Sequence, residues 1–213
     1  MGTRDLSEPQ RKILEAAVAV FSAHGYRGGS LNDVAKRSGY TRAGLLHHYP
    51  SKEAMLLALL DLRDRELELE SWGNDPEQGI HDMLRTLPAM VDRILKDRVL
   101  IQLGHVLTSE ASHPEHPARD WAANRHRTLR GRMAAAIERS IGRGELAPGT
   151  DADSLAALLL GAVEGVEAQW LVDPEVDPRR CAQTLLLMLD ALTVGSATDR
   201  PGKGSSGAPL PAA

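Results

Sequence analysis

The sequence predicts an all-α protein, in which a small N-terminal group of three helices precedes a larger helical bundle. Apolar residues make up 42% of the 213 residues and aromatic residues only 3%, a composition that favours helices over sheets. Apolar residues also recur at helical spacing through most of the chain, and no segment shows the alternating pattern of a strand. The length is sufficient for one small and one larger domain, each with its own core.

The first two helices are predicted from start and stop signals. Helix 1 is expected over about residues 7–24. The apolar residues on its inner face are Ile13, Ala17, Val20 and Phe21. Ser30 followed by Asp33 has the spacing of a capping box, so helix 2 is expected to begin at Leu31. Gly39 can adopt the left-handed conformation that ends a helix.

A third short helix is expected directly after this glycine. Thr41 can cap it, and it must stop near Tyr49 because Pro50 disfavours helical geometry in the residue before it. Two short helices joined by a tight turn with glycine are typical of a helix-turn-helix, in which the second helix enters the major groove of DNA. The N-terminal quarter is therefore predicted to bind DNA.

The charge distribution agrees with this prediction. The whole chain carries a net charge of −4, but residues 1–52 contain eight basic and four acidic side chains. This segment is therefore net positive, and the remainder carries the negative charge. Because contacts with phosphates need local positive charge, the asymmetry places the DNA-binding surface in the N-terminal quarter.

The remainder of the chain predicts six further helices joined by short loops. They are a helix after Ser51 through Leu67, one opened by Asp75-Pro76 and kinked at Pro88, one over 99–107, one over 118–141, one starting within 150–153, and one from Asp177 to near Gly195. From residue 196 onward apolar periodicity is lost. The expected domains are a DNA-binding domain over 1–52, a helical ligand-binding and dimerisation domain over 53–195, and a disordered tail over 196–213.

The N-terminal quarter resembles the DNA-binding domain of TetR-family transcriptional regulators. The matching segments are Arg11 to Ala17, then Phe21 and Gly25-Tyr26, then Leu45 to Lys52 (LLHHYPSK). The resemblance implies a dimeric, sequence-specific regulator. Within the family, the expected activity is repression, relieved when a small-molecule effector releases the protein from a palindromic operator. Departures from the family pattern at Gly29, Leu46 and His47 affect the phosphate contacts.

Eight residues are predicted to contact DNA: Ser30, Thr41, Arg42, Ala43, Gly44, His47, His48 and Lys52. The resemblance implies that positions 42–44 read bases, and a guanidinium at Arg42 can bridge two acceptors of guanine. It also implies that His47, His48 and Lys52 grip the backbone. The hydroxyl of Ser30 lies at a helix N-terminus, which attracts phosphate. The alternative for the two histidines is a solvated pair at a helix end.

The last two helices are expected to form a two-fold interface. These helices carry more apolar surface than the core of one subunit needs to bury. Two glycines four residues apart also allow another helix to approach closely. The predicted interface residues are Leu158, Gly161, Gly165, Leu185 and Leu189. The alternative is that these helices fill the core of one subunit. A dyad would also place two recognition helices on half-sites about 34 Å apart, or a multiple of a turn.

The resemblance implies an effector pocket among the middle helices. Its predicted lining is Met83, Leu87, Met90, Leu103 and Trp121, with Val91, Leu100, Val106 and Trp170 as further candidates. Methionine adapts to irregular ligands, and tryptophan offers an amphipathic wall. The alternative is that these residues are ordinary core. The chemical identity of the effector does not follow from the sequence.

Other functional classes find little support. No catalytic or cofactor-binding motif is recognisable, so no enzyme activity and no cofactor are expected. A metal site is a weak candidate at His113, Glu115 and His116. The two histidines lie on a loop that offers no third predictable ligand, and no cysteine is near. The single Cys181, the polar N-terminus and the short apolar run over 155–163 indicate a cytoplasmic protein that is not a membrane protein. The main rival function is a DNA-binding architectural or interaction protein that has no small-molecule effector.

Overall fold

The structure is a computed structural model that describes residues 6–66 and 72–192. Within these ranges the chain forms ten α-helices and no β-strand, which confirms the predicted fold class. The helices are α1 (Glu8–Gly28), α2 (Leu31–Ser38), α3 (Arg42–His48), α4 (Lys52–Glu66), α5 (Ile80–Arg85), α6 (Leu87–Ile94), α7 (Arg98–Glu110), α8 (Arg119–Gly142), α9 (Ala152–Val172) and α10 (Pro178–Asp190). Leu67 and the predicted tail over 196–213 lie outside the described residues.

The three N-terminal helices follow the predicted signals. All four predicted inner-face residues of α1 are buried. Ser30 and Thr41 cap α2 and α3, and Gly39 adopts the left-handed conformation with φ of 77°. Tyr49 is 6% exposed and belongs to the core that also contains the inner face of α1. The helix-turn-helix prediction is confirmed in its bounds and caps.

Helix α1 extends beyond its predicted end through a kink. Gly25, at the kink, has φ of 66°, a backbone conformation that residues other than glycine rarely adopt. A Cβ atom at this position would also collide with the carboxylate of Glu110 at the end of α7. The kink therefore requires glycine for two reasons, its backbone conformation and its contact with the body of the protein.

The expectation that Asp75 and Pro76 open a helix is wrong. These residues form a turn, and α5 begins only at Ile80. Arg139 on α8 donates from its Nε to the carbonyl oxygen of Gln78 at 2.8 Å. Because this tertiary hydrogen bond takes a carbonyl that a helix would use internally, the local start signal is overridden.

The predicted kink at Pro88 is a complete break in the helix. Helix α5 ends before Thr86 and α6 begins after it, with Pro88 in the first turn of α6. There the missing N–H of proline costs no hydrogen bond. The hydroxyl of Thr86 donates to the carbonyl oxygen of Met83 at 2.6 Å and accepts from the indole N–H of Trp72 at 3.0 Å. These bonds hold the break in place.

The five remaining helices lie close to their predicted positions, with one correction. Helix α10 ends at Asp190, several residues before the expected end near Gly195, which lies outside the described residues. Helix α8 packs against α5 and α9, and α10 packs against α5, α6 and α9. Together these helices enclose the core of the body.

The N-terminal helices and the body are joined by an extensive contact between α1 and α7. Leu103 and Leu107 of α7 are fully buried in the same core as α1 and α4. The Gln102 amide also donates to the carbonyl oxygen of Ser22 on α1 at 3.1 Å. The N-terminal core is therefore continuous with the body, and the expected domain boundary at residue 52 stays a prediction.

Candidate nucleic-acid interface and ligand cavity

One side of α3 is turned to solvent and carries the residues expected to read bases. Arg42, Ala43 and His47 are exposed on this side, while Leu45 on the opposite side is fully buried. We call Arg42, Ala43 and His47 the α3 outer face. Because buried Leu45 anchors the helix, these three side chains are presented on a fixed support.

The first turn of α3 is closed by its cap. The Thr41 hydroxyl accepts a hydrogen bond from the Gly44 N–H at 3.1 Å. A Cβ atom at Gly44 would lie 3.3 Å from this hydroxyl and 3.7 Å from the ring of Tyr40. The crowding is mild, so neither packing nor backbone conformation within the subunit demands glycine here. Close approach of the backbone to DNA stays the prediction for Gly44.

Ser30 lies at the N-terminus of α2, but its hydroxyl is already engaged. It accepts from the Asp33 N–H at 3.1 Å and donates to the Asp33 carboxylate at 2.5 Å. The hydrogen bond from Ser30 is the main cause that lowers the pKa of Asp33. A phosphate contact by Ser30 would therefore place an anion beside a carboxylate, and requires this hydroxyl to exchange partners.

The two histidines at the end of α3 differ in their surroundings. His47 is exposed, whereas His48 is partly buried and its ring packs edge-on to Tyr40 at a centroid distance of 6.3 Å. The two imidazoles also contact each other, with centroids 5.3 Å apart. His47 is thus free to reach DNA from the α3 outer face, while His48 also helps to fix the turn before α3.

Lys52 is less free than a solvated lysine. Its ammonium lies 4.5 Å from the ring centroid of Tyr26 and 5.9 Å from that of Phe21. Burial lowers the pKa of Lys52, and the negative charge of Glu110 partly offsets this effect. The ammonium is therefore tied to the junction with the body, at the start of α4.

Glu110 organises this junction. Its carboxylate accepts a hydrogen bond from the Tyr26 N–H at 2.6 Å, directly after the kink in α1. The ring of His116 packs edge-on to Tyr26, and its Nε2 lies 3.5 Å from the same carboxylate. Burial lowers the pKa of His116, although Glu110 acts in the opposite direction. The exit of α1 is therefore held by side chains from the body.

The same contacts argue against a metal site at residues 113–116. His116 is 4% exposed and its Nδ1 accepts from the Ala118 N–H at 3.2 Å, while the Nδ1 of His113 accepts from the Glu115 N–H at 3.3 Å. Both imidazoles thus serve the loop backbone. Across residues 6–66 and 72–192, no group of three metal-binding side chains is close enough to hold an ion.

A cavity of about 260 Å³ lies between α6, α9 and α10. Its wall is almost entirely apolar and includes Leu87, Val91, Ile94, Leu95, Ala162, Val163, Val166, Glu167, Trp170, Cys181, Ala182, Leu185 and Met188. A concave apolar space with few polar groups is the usual form of a small-molecule site. It is the best candidate for the predicted pocket.

The predicted lining matches this cavity only in part. Leu87 borders it, as do the further candidates Val91 and Trp170. The other four predicted residues lie elsewhere. Met83 and Met90 are in the body core, Leu103 is in the core shared with α1, and Trp121 packs beside that second core. The sequence identified apolar helix faces, but could not show which of them leave space unfilled.

A cluster of charged side chains, here called the ionic cluster, lies where α4, α7, α8 and α9 meet. Its members are Arg63, Asp64, His105, Arg125, His126, Glu164 and Glu167. Arg63 is 3% exposed and donates to the Leu100 carbonyl oxygen at 3.0 Å and to Asp64 at 2.9 Å. Burial is the main influence on both side chains, lowering the pKa of Arg63 and raising that of Asp64. The cluster connects α4, α7, α8 and α9.

Sequence reasoning missed this cluster, although one signal was present. Gly104 interrupts the apolar helix α7, and a Cβ atom there would collide with the guanidinium of Arg63. A glycine inside a helix lowers stability relative to alanine, so its presence often indicates that a neighbouring group occupies the space of a side chain. The pairing of Gly104 with an arginine from a distant helix could not be read from the sequence, because the two lie 41 positions apart.

The exposed sides of α9 and α10 carry large apolar side chains. Leu158 is 70% exposed, Leu187 68% and Met188 62%. A Cβ atom at Gly161 or Gly165 would meet nothing within 4 Å, so these glycines also face open space. We call these five residues the α9/α10 outer face. By length and composition alone α9 is apolar enough to cross a membrane, a property that core helices of soluble proteins share.

One of the predicted interface residues needs correction. Leu189 is 2% exposed and packs in the body core, because its side of α10 faces α5 and α6. Leu185 is half-buried and borders the cavity, and its place in the interface stays a prediction. Leu187 and Met188, next to Leu189, lie on the exposed side of α10. The position of the exposed stripe on α10 was therefore misjudged by about a third of a helical turn.

Comparison with protein families assigns both parts of the chain. The family described as "Bacterial regulatory proteins, tetR family" matches residues 13–59, which include α2, α3 and most of α1 and α4. The family described as "Tetracyclin repressor-like, C-terminal domain" matches residues 105–186, from α7 into α10. The first match covers the helix-turn-helix, and the second covers most of the cavity wall.

Individual relatives resemble the chain over nearly its whole length. The transcriptional regulator UidR of Escherichia coli is 26% identical over 194 residues, which cover 89% of this chain and 96% of the relative. Among solved structures, a complex of SmeT with triclosan has a TM-score of 0.74 and 26% identity, covering 97% of this chain and 100% of that chain. GusR of Salmonella enterica has a TM-score of 0.68 and 27% identity, covering 88% and 97%.

The fold and the similarities lead to the same family. The chain has a capped helix-turn-helix with one exposed face and a helical body, and the family matches cover both parts. Regulators of this kind bind DNA and do not catalyse reactions, which is consistent with a site that offers a nucleic-acid surface and an apolar cavity. The chain belongs to the TetR family of transcriptional regulators.

Proposed function

We propose that the protein is a homodimeric repressor that binds a palindromic operator and is released from it by a small-molecule effector. The observation that carries the proposal is the α3 outer face, where Arg42, Ala43 and His47 stand exposed on a helix anchored by buried Leu45. Such a face fits the major groove. The eight predicted DNA contacts belong to this proposal, although Ser30 must exchange its bond with Asp33 and Lys52 must leave the Tyr26 ring to reach phosphate.

The α9/α10 outer face supports the homodimer. One short recognition helix makes few base contacts, whereas two helices related by a dyad read two half-sites. Exposed Leu158, Leu187 and Met188 offer apolar surface, and Gly161 and Gly165 let a partner helix approach. A large exposed apolar patch on a soluble protein commonly marks an interaction surface.

The cavity supports the effector. Its size and apolar wall suit a compact organic molecule.

Among the similar structures, SmeT is described as the repressor of a Stenotrophomonas maltophilia multidrug efflux pump, and one SmeT structure contains triclosan. A regulator of this form acts in the cytoplasm, where its operator is.

Release from DNA requires that the effector favour a conformation with altered spacing of the two recognition helices. Helix α7 is placed to transmit such a change, because it contacts α9 through His105 and α1 through Gln102 and Glu110. A 100-fold loss of operator affinity requires a coupling free energy of about 2.7 kcal/mol between the two sites. The ligand must bind the DNA-incompetent state that much more tightly.

Selection of bound sequences from a random DNA library, at near-physiological salt, tests the proposed activity. We expect a palindrome with two half-sites, and release of the protein from it when an effector binds. Binding without any recovered motif, which disappears as the salt concentration rises, would contradict the proposal. It would instead favour an architectural DNA-binding protein, whose attraction to DNA is electrostatic only.

A further inference from the structure

The wall of the cavity contains one charged side chain. Glu167 on α9 borders the space together with apolar residues such as Val163, Trp170 and Leu185. The Oε2 atom of Glu167 lies 3.1 Å from Nε2 of His105, whereas no hydrogen bond to Oε1 occurs within the part of the chain that the structure describes. The one charged residue of this wall therefore has a single side-chain hydrogen-bond partner, His105, among the described residues.

The described surroundings of Glu167 hold fewer arginines than carboxylates. In the ionic cluster, Arg63 and Arg125 stand with three carboxylates and two imidazoles, and the negative charge of Glu167 acts on buried Arg63. Two other arginines near the cavity are engaged elsewhere. Arg98 donates to the Leu171 carbonyl oxygen and lies over the Trp170 ring at 4.9 Å, and Arg179 pairs with Asp92 at 2.5 Å.

We propose that the cavity binds a compact apolar molecule that carries one positive charge, with Glu167 as its counter-ion. This inference rests on the proposed function, since it names the chemical class of the effector. An ammonium group beside the Glu167 carboxylate would pair with its negative charge, and the hydrocarbon part would fill the apolar space. An anionic ligand of the same shape would instead be repelled by the carboxylate, and a neutral one would gain no ion pair.

The same pairing suggests how binding reaches the DNA-binding helices. A cation beside the Glu167 carboxylate weakens its pairing with His105, because both contacts draw on the same negative charge, and this pair joins α9 to α7. Helix α7 in turn holds α1 through the bonds from Gln102 to Ser22 and from Tyr26 to Glu110. Weakening the link between α9 and α7 therefore acts on the helix that supports the helix-turn-helix.

The test compares three probes of one shape and different charge: 1-aminoadamantane as the cation, 1-adamantanol as the neutral compound and adamantane-1-carboxylate as the anion. Each is titrated into the full-length protein by isothermal calorimetry at pH 7. We expect the ammonium compound to bind about 10-fold more tightly than the alcohol or better. Equal affinity for all three, or no binding of any of them, would overturn the proposal.

The variant Glu167→Gln identifies the counter-ion. It should lower the affinity for 1-aminoadamantane to about that for 1-adamantanol, while the affinity for the alcohol is unchanged. Glu138→Gln, an exposed position on α8 outside the cavity wall, removes the same charge and should leave the preference intact. Unchanged binding of the alcohol shows that the variant is folded. A preference for the cation that survives in Glu167→Gln would contradict the role of Glu167.

Operator binding separates this inference from the proposed function. If the protein binds a palindrome but shows no preference for the cation, only the ligand class is wrong. If it prefers the cation but selects no operator, the repressor proposal fails and the cavity assignment stands.

Discussion

At the scale of single residues, the function depends on a few side chains whose positions are fixed by buried neighbours. Arg42 projects from α3 because Leu45 anchors the helix, and Thr41 closes its first turn. In the body, Arg63 can be buried only because Gly104 leaves room for its guanidinium. In both places a small or capping residue determines what a charged residue can do.

Replacing Arg42 by alanine should relax sequence preference at one operator position in each half-site. A bidentate contact with guanine contributes about 1–3 kcal/mol of discrimination, which the variant loses. Competition binding with operators mutated at each position measures the change. Arg37→Ala, an exposed position on α2, is the matched control and should weaken binding to all sequences evenly. An unchanged preference profile for Arg42→Ala would refute the base contact.

Replacing Gly104 by alanine should destabilise the protein, although alanine is the better helix former. The added methyl group collides with Arg63, whose displacement breaks its bonds to Leu100 and Asp64. We expect the free energy of unfolding to fall by at least about 2 kcal/mol, measured by urea denaturation.

Gly131→Ala is the control for this change. Gly131 lies on α8, and a Cβ atom added there would meet nothing within 4 Å, so alanine should stabilise the helix by up to about 1 kcal/mol. Equal effects at the two positions would show that the contact between Gly104 and Arg63 is unimportant.

At the scale of helices, the structure is a set of elements joined by polar contacts at their crossings. Arg125 and His126 of α8 both contact Glu164 of α9, at 2.9 and 3.1 Å. His105 of α7 contacts Glu167 one turn further along α9. Helix α9 is therefore tied to two neighbours by charged hydrogen bonds, while its opposite side is exposed.

The hydrogen bonds of Glu164 to Arg125 and His126 should make the free energy of unfolding fall at acid pH. Burial alone would raise its pKa, but the hydrogen bonds from His126 and Arg125 outweigh burial and lower the pKa from 4.5 to about 2. Because the pKa is lower in the folded state, the stabilisation is complete above about pH 4.5 and is lost as the pH falls towards 2. Glu164→Gln should therefore cost up to about 3 kcal/mol at pH 7 and much less near pH 2.5.

Urea denaturation of both proteins at several pH values measures this difference, with exposed Glu138→Gln as the control. A cost for Glu164→Gln that is the same at pH 7 and at pH 2.5 would show that the charge of Glu164 does not stabilise the fold.

The helices and the helix-turn-helix could be predicted because their signals are local. The caps at Ser30, Thr41 and Asp177 and the left-handed Gly39 lie where the sequence placed them. The start signal at Asp75 failed because a distant arginine takes a carbonyl of that turn. Likewise, the lining of the cavity depends on how α6, α9 and α10 fit together, and no local pattern reports a space between helices.

At the scale of the whole molecule, the exposed apolar surface is concentrated at the end formed by α9 and α10. Five of the seven large apolar side chains that are exposed within residues 6–66 and 72–192 lie on these helices or directly after them: Leu158, Val172, Leu187, Met188 and Leu192. The basic α3 outer face belongs to a different part of the molecule. This arrangement suits a dimer that presents two recognition helices to one side of a duplex.

Replacing Leu158 by glutamate should yield monomers. The introduced charge would be buried at the proposed interface without a partner, whereas on the surface of one subunit it is harmless. Sedimentation velocity at micromolar concentration should show the change from dimer to monomer, with loss of operator affinity. Leu57→Glu on α4, also exposed, is the matched control and should remain dimeric. A dimeric Leu158→Glu protein would place the interface elsewhere.

The most direct test of the central claim changes the spacing of the two half-sites in the selected operator. Inserting about half a helical turn, roughly 5 base pairs, moves the second half-site to the opposite face of the duplex. A homodimer with two recognition helices on one side should then lose at least about 100-fold in affinity, and a full-turn insertion of about 10 base pairs should be less harmful than the half-turn insertion. Equal affinity for the original and the half-turn operators, measured by fluorescence anisotropy, would contradict a dimeric repressor that reads a palindrome.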